Sequence, residues 1–366
     1  MTITEGRLNR ADLLKVGAAG ALGLTLARPA FAQTVTIDGT TLNMLTWSDH
    51  YANDQLKAVN KLTKIQGRPT LFSDNADAYL KIKQTKGQFD IVSGDALWVP
   101  KYHKDGLTTS FPLSELPVSK QLYSIARTFP FWQDGSNYMG YPFSWSTVQI
   151  YYNPKYVKTK PDSWHALLDK KYKGKISLEN IPTDVMAIAG RATGSKKPYS
   201  MTKAEIARAK AFLKSFKPNV LKLAAQNNEV VRALADGSAW IGITNLGTDD
   251  RVKDAGGPTV LTAYPKEGTI GFIDSEQIVK ASSNHSSFFT FENAMQQAPW
   301  IAKNFITNGR PLFNEKAYKI LINTGHGDRA RRQYYNKPEN ALKMTIKGPA
   351  GDEQAYVDAF NEVFGG

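Results

Sequence analysis

An open α/β fold in two lobes is what this sequence predicts, and three observations predict it. Segments with strand character alternate with helical ones, the arrangement that builds parallel sheets with helices between the strands. The 366 residues suit two domains, or two lobes of one binding unit. A composition that is 42% hydrophobic and 22% charged supplies a core and is unlike that of a disordered chain.

The elements follow in chain order. Arg7, Arg10 and Lys15 precede a short apolar stretch, Val16 to Ala27, that Pro29 breaks. Ala30-Phe31-Ala32 then offers an A-x-A site before Gln33. Residues 1–32 are therefore expected to be a secretory signal peptide cleaved after Ala32. The run is too short for a lasting membrane anchor, and no later segment reaches ~18 unbroken apolar residues. Arg10 to Lys15 is similar to a twin-arginine pattern with Ala11 in place of the second Arg, so the general secretory and twin-arginine routes both stay open. Thr41 to Thr46 is a first strand, and Asn53 to Gln66 has helical spacing that stops at Gly67. Arg68 to Phe72 is a second strand, Ala76 to Lys86 a helix, and Asp90 to Val92 a short buried strand.

From Met139 to Asn153 an alternating apolar and aromatic run, closed by Pro154, is suited to carry the chain between lobes. Beyond it come strand Ile176–Leu178, helix Val185–Ala192, helix Lys203–Phe216, helix Asn228–Asp236 and strand Trp240–Ile243. Thr269 to Val279 runs back across. Phe288–Ile306, Lys316–Leu321 and Gln354–Phe364 are further helices. The expected division is lobe 1 from residues 33–143 and 275–320, and lobe 2 from 144–274 and 321–366. Two such lobes place a ligand cleft between them, at the carboxyl ends of strands and near helix N-termini.

Charge and reactive residues narrow the function. The leader carries four basic and two acidic residues, leaving 42 basic and 31 acidic residues and a net +11 over 334. The basic residues are mostly scattered, as on a solvated surface, and an exported chain seldom meets nucleic acid, so no nucleic-acid partner is expected. Zero Cys excludes disulfides, thiolate metal sites, thiol nucleophiles and a lipoprotein anchor. The five His residues lack metal-ligand spacing, and no H-E-x-x-H, G-x-S-x-G or P-loop pattern is present, so neither enzyme nor ATPase is expected. The pairs Tyr151-Tyr152 and Tyr334-Tyr335 raise a ferric-iron reading, but the first lies in an alternating strand and points to opposite faces. No cofactor or metal is expected. An anion site built on Arg, Lys and helix N-termini is the other remote reading.

Five motifs resemble, in order, the spermidine/putrescine-binding group of periplasmic solute-binding proteins of ABC importers. They are Leu42–Asp49; Asp90–Val92 with Trp98-Val99-Pro100; Tyr141-Pro142 through Tyr152-Asn153; Trp164 with Leu167-Leu168-Asp169 and Lys171 to Lys175; and Pro265–Gly268 followed by Phe272 and Asp274. The resemblance runs from about residue 40 to 325. It implies two type II-like lobes joined by crossover strands and closing on a ligand, a non-catalytic role, a periplasmic location, and delivery of an amine to a membrane permease. A monomer is expected.

A polyamine needs carboxylates for its ammonium groups and aromatic walls for its methylenes, because each ammonium loses water on entry. The resemblance assigns Trp47 as a wall, Ser48 as a hydrogen-bonding group and Asp49 as an ammonium acceptor; a helix cap is the structural alternative. It assigns Phe272 and Asp274 as an aromatic-x-carboxylate pair, and Asp184 as an acid at a helix start that also suits a cap. Three positions depart from the family pattern. Ile181 stands where a second acid is usual, Thr244 (then Asn245) where a Trp is common, and His50 where a Tyr is common. These losses favour a diamine or an ω-amino acid over a long polyamine. Asp95, Asp249 and Asp250 are candidate compensating acids, Asp95 being equally suited to a helix cap and the other two to solvated loops.

Overall fold

The computed structural model describes residues 40–48 and 50–365. The expected signal peptide, its cleavage site and Asp49 lie outside the described residues. The first half of the fold contains β1 (Thr41–Thr46), α1 (Asn53–Thr63), β2 (Gln66–Leu71), α2 (Asn75–Gln84) and β3 (Ile91–Asp95). After β4 (Tyr141–Tyr152) come β5 (Ile176–Glu179), α3 (Pro182–Ala192), α4 (Lys203–Phe216), β6 (Val220–Ala224), α5 (Asn227–Ala235), β7 (Ile241–Asn245) and α6 (Thr248–Asp254). The chain then crosses in β8 (Ile270–Val279) and continues through α7 (His285–Met295), α8 (Ala298–Asn308) and α9 (Glu315–Asn323) to β9 (Thr345–Ile346) and α10 (Glu353–Phe364).

One sheet unites these strands in the order β6-β5-β7-β4-β8-β3-β1-β2. At one end β1 pairs in parallel with β2 and β3; at the other β5 pairs in parallel with β6 and β7. Between them lies the long antiparallel pair β4 and β8, buried along its whole length. Tyr141–Tyr152 stood out in the sequence by its alternating aromatic residues, although its polar residues Ser144, Ser146, Thr147 and Gln149 are buried as well. Separate apolar clusters flank the two ends. Met44, Val59, Phe291 and Trp145 belong to one, and Ile150, Trp164, Val185 and Phe360 to another.

Several boundaries differ from expectation for local reasons. The first helix ends at Thr63, because Lys64 takes the left-handed conformation (φ 61°) that terminates it. Gly67 is not its cap but a strand residue, and a Cβ there would meet Phe291 at 2.8 Å and Leu56 at 2.9 Å. The expected helix over 288–306 is two helices, divided where Gln297 is extended and Pro299 enters a new first turn. Helix α4 starts and ends where its periodicity and the Thr202/Glu205 capping box place it. Strands β6 and β9 were not anticipated.

Candidate functional site

The carboxyl ends of β1, β3, β5 and β7 and the N-terminal turns of α2, α3 and α5 converge on a cavity of about 70 Å³. Trp47 and Ser48 reach it from the end of β1, and Phe272 and Asp274 from β8. Trp47 packs on Phe72 with ring centroids 4.2 Å apart, and Trp98 forms another part of the wall. Six carboxylates line it: Asp74, Asp95, Glu179, Asp184, Asp274 and Glu353.

Asp274 owes its position to an irregularity in the sheet. Its neighbour Ile273 is opposite Trp145, while Ser275 is opposite Pro142, so Phe143 and Ser144 together face the single residue Asp274. Such bulges re-aim side chains. On its other side Asp274 is the direct cross-strand partner of Asp95. Asp274 Oδ2 accepts a hydrogen bond from Ser144 Oγ at 2.8 Å and lies 3.0 Å from His50 Nε2. His50 Nδ1 is 2.9 Å from Glu276 Oε1, and Ser93 Oγ donates to Glu276 Oε2 at 2.8 Å. His50 and both acids are fully or almost fully buried, so the ring bridges the two carboxylates away from solvent. Burial pushes the Asp95 carboxyl well above the usual carboxylate range, the charge of Asp274 pushes it further, and Lys347 opposes both. Burial also raises Glu276, with His50 pulling it down.

Asp184 lies in the first turn of α3, two residues beyond Pro182, and is not the N-cap, which is Ile181. Its Oδ1 accepts from Tyr199 Oη at 2.6 Å and its Oδ2 pairs with Lys347 Nζ at 2.6 Å. Burial alone would lower the Lys347 ammonium, but Asp184, Glu179 and Asp95 hold its pKa above the ordinary lysine value. The same ammonium stands 5.6 Å from the centre of the Phe272 ring.

The structure therefore brings Trp47, Ser48, His50, Asp95, Asp184, Phe272 and Asp274 to one cavity. Asp95 closes β3 and caps no helix, since the short helix that follows begins after Trp98. Thr244 is not in the cavity wall. It is buried behind it, donating to Glu179 Oε1 at 3.0 Å and accepting from Asn227, while its neighbour Asn245 reaches the wall. Asp249 and Asp250 are elsewhere, bound to Gln333 and to Arg329 and Arg332, and do not supply the compensating charge. Sequence reasoning missed Asp74, Glu179, Glu353 and Lys347. Glu179 had a signal, as an acid at the carboxyl end of a strand; Lys347 and Glu353 had none.

Two lobes sharing a crossed sheet, with one enclosed polar cavity at their strand ends, define a ligand-binding protein of the periplasmic-binding fold. The chain belongs to the bacterial extracellular solute-binding protein family, whose model matches residues 37–311. It is 26% identical over 298 residues to the putrescine-binding periplasmic protein SpuD of Pseudomonas aeruginosa, covering 77% of this chain and 80% of that one. It is also 26% identical to the putrescine-binding periplasmic protein PotF of Escherichia coli, over 74% of this chain and 76% of the relative. Among solved structures, a putative spermidine/putrescine ABC transporter protein from Listeria monocytogenes superimposes with a TM-score of 0.79 at 23% identity, covering 89% of this chain and 99% of that one. These relatives are binding components of transporters, not enzymes.

Proposed function

We propose that this protein captures a small amine in the interlobe cavity and delivers it to the membrane permease of an ABC importer. The observation that carries the reading is the chemistry of the cavity, where six carboxylates and the faces of Trp47, Trp98 and Phe272 surround a small enclosed space. Carboxylates offset the desolvation of an ammonium, and aromatic faces accept both its charge and its methylenes. The putrescine-binding relatives support the same ligand class. An ω-amino acid or another small organic solute is the second reading, favoured by Lys347 and Arg310 in the cavity wall.

In this reading Trp47, Phe272, Asp95, Asp184 and Asp274 are ligand-binding positions, with Ser48 and His50 supporting them and Asp49, between those two in sequence, as a further ammonium acceptor. The protein works as a periplasmic monomer after cleavage behind Ala32. The lobes meet in β4 and β8. We place the final return to the second lobe after Tyr335, because Leu321, Ala330 and Tyr335 share an apolar cluster with Phe143 and Phe305.

Thermal unfolding of the refolded, ligand-stripped protein against putrescine, spermidine, γ-aminobutyrate, agmatine, amino acids, sulfate and ferric citrate tests the function. A ligand at about 100 times its dissociation constant stabilises by about 2.7 kcal/mol. A shift with an amine is the expected result; a shift with sulfate or ferric citrate alone would overturn it.

A further inference from the structure

The cavity that suits an amine already holds one. Lys347 comes from a segment outside the family match, and its side chain is only 12% exposed. Its ammonium takes Asp184 at 2.6 Å and the face of Phe272 at 5.6 Å. Those are the carboxylate and the aromatic wall that an incoming ammonium needs at this end of the cavity.

The lysine is pinned there by its backbone. Thr345 and Ile346 pair in parallel with Ile270 and Gly271, and Lys347 N–H donates to Gly271 O at 2.7 Å. This fixes the Cα of Lys347 beside Phe272 in the ladder. Before it, Met344 is buried against the first-lobe core; after it, Gly348 packs so closely that a Cβ would meet Leu97 at 2.8 Å.

From this juxtaposition we infer that Lys347 is a specificity-determining residue, its ammonium standing in for one end of a diamine at Asp184 and Phe272, so that the cavity takes a solute with a single ammonium. The other ammonium subsite is the opposite end, where Trp47, Trp98 and Asp95 converge beside Asp274, with Arg310 also in the wall. A second ligand ammonium at the occupied end would face Lys347 across a low-dielectric space, and like charges repel strongly there. The inference rests on the amine-binding reading and narrows it.

Titration calorimetry of the wild-type protein and of Lys347→Met with putrescine, butylamine and γ-aminobutyrate tests it. The wild type should bind one of the two single-ammonium probes at least tenfold more tightly than putrescine. Lys347→Met should gain at least tenfold for putrescine, because Asp184 is released to receive its second ammonium. Lys347→Gln, whose amide still donates to Asp184, serves if the methionine variant fails to fold, and the wild-type order of affinities stands as a test without any variant. Putrescine binding the wild type more tightly than both other probes would overturn the inference, as would a folded variant with the wild-type ratio; amine binding itself would survive either result. Binding of none of the three to either protein would remove the amine reading and this inference with it.

Discussion

The acid side chains of the cavity are held by different forces, and their responses to substitution and pH should differ. Asp274 meets His50, Ser144 and Asp95 at once. Asp274→Asn should weaken a cationic ligand by roughly tenfold or more, since it removes the charge facing the ammonium; unchanged affinity in a folded variant would exclude Asp274 from the site. Burial, and then the charge of Asp274, raises the pKa of the Asp95 carboxyl, and an arriving ammonium favours its charged form. Amine binding should therefore release a proton, visible as a binding enthalpy that depends on the ionisation heat of the buffer. Asp95→Asn should abolish that dependence. Glu292, away from the cavity, is fully buried, Gln296 donates to it at 2.8 Å, and burial raises its pKa to about 7. The folded protein thus holds this proton to higher pH than the unfolded chain, so stability falls as pH rises from about 4.5 through 7. Glu292→Gln should remove the part of that fall due to Glu292, worth about 3 kcal/mol by pH 8, and make the pH dependence of chemical denaturation shallower. A wild-type profile flat across this range would refute the assignment.

At the scale of elements, most of the chain could be read from its sequence because its strands and helices obey strong periodic rules. Strand β1, the β4 run and helix α4 are where alternation, aromatic density or a capping box place them. The site was legible where a residue sits at the end of such an element, as Trp47 and Asp95 do, whereas Asp274, in the middle of β8, was assigned only by its aromatic-x-carboxylate resemblance. Lys347 was not legible, because its strand has two residues and no period, and parallel pairing across 75 residues of sequence brings it to Gly271. Thr244 was assigned to the cavity by position on β7, yet strand alternation turns it away and presents Asn245 instead. The junction of α6 and α8 gives a test of element packing. Gly247 (φ 86°) starts α6 and Gly309 (φ 78°) ends α8, and a Cβ on Gly247 would lie 2.5 Å from the Gly309 carbonyl carbon. Gly247→Ala combines left-handed strain with a backbone clash and should cost at least about 2 kcal/mol. Denaturant titration would measure it; a loss below roughly 0.5 kcal/mol, the scale of a surface substitution, would show that the contact yields.

At the scale of the molecule, the cavity is lined from both sides of the crossing strands. Trp47 and Asp95 belong to the β1–β3 end, while Glu179, Asp184 and Asn245 belong to the β5–β7 end. A ligand that touches both ends binds the closed arrangement better than the open one, and that difference in affinity drives the shift. The radius of gyration from small-angle scattering should therefore be smaller for the amine-loaded protein than for the stripped one. Equal radii would mean that the permease reads something other than lobe closure.

The bulge opposite Asp274 lies on the long strand pair between the two ends of the sheet, so the proposed ligand-binding carboxylate would sit in the flexure itself. Any spreading of the lobes that bent β4 against β8 at this point would turn the carboxylate away from the cavity. Unloading would then need no separate ejecting device: whatever wedged the lobes apart would dismantle the grip in the same stroke.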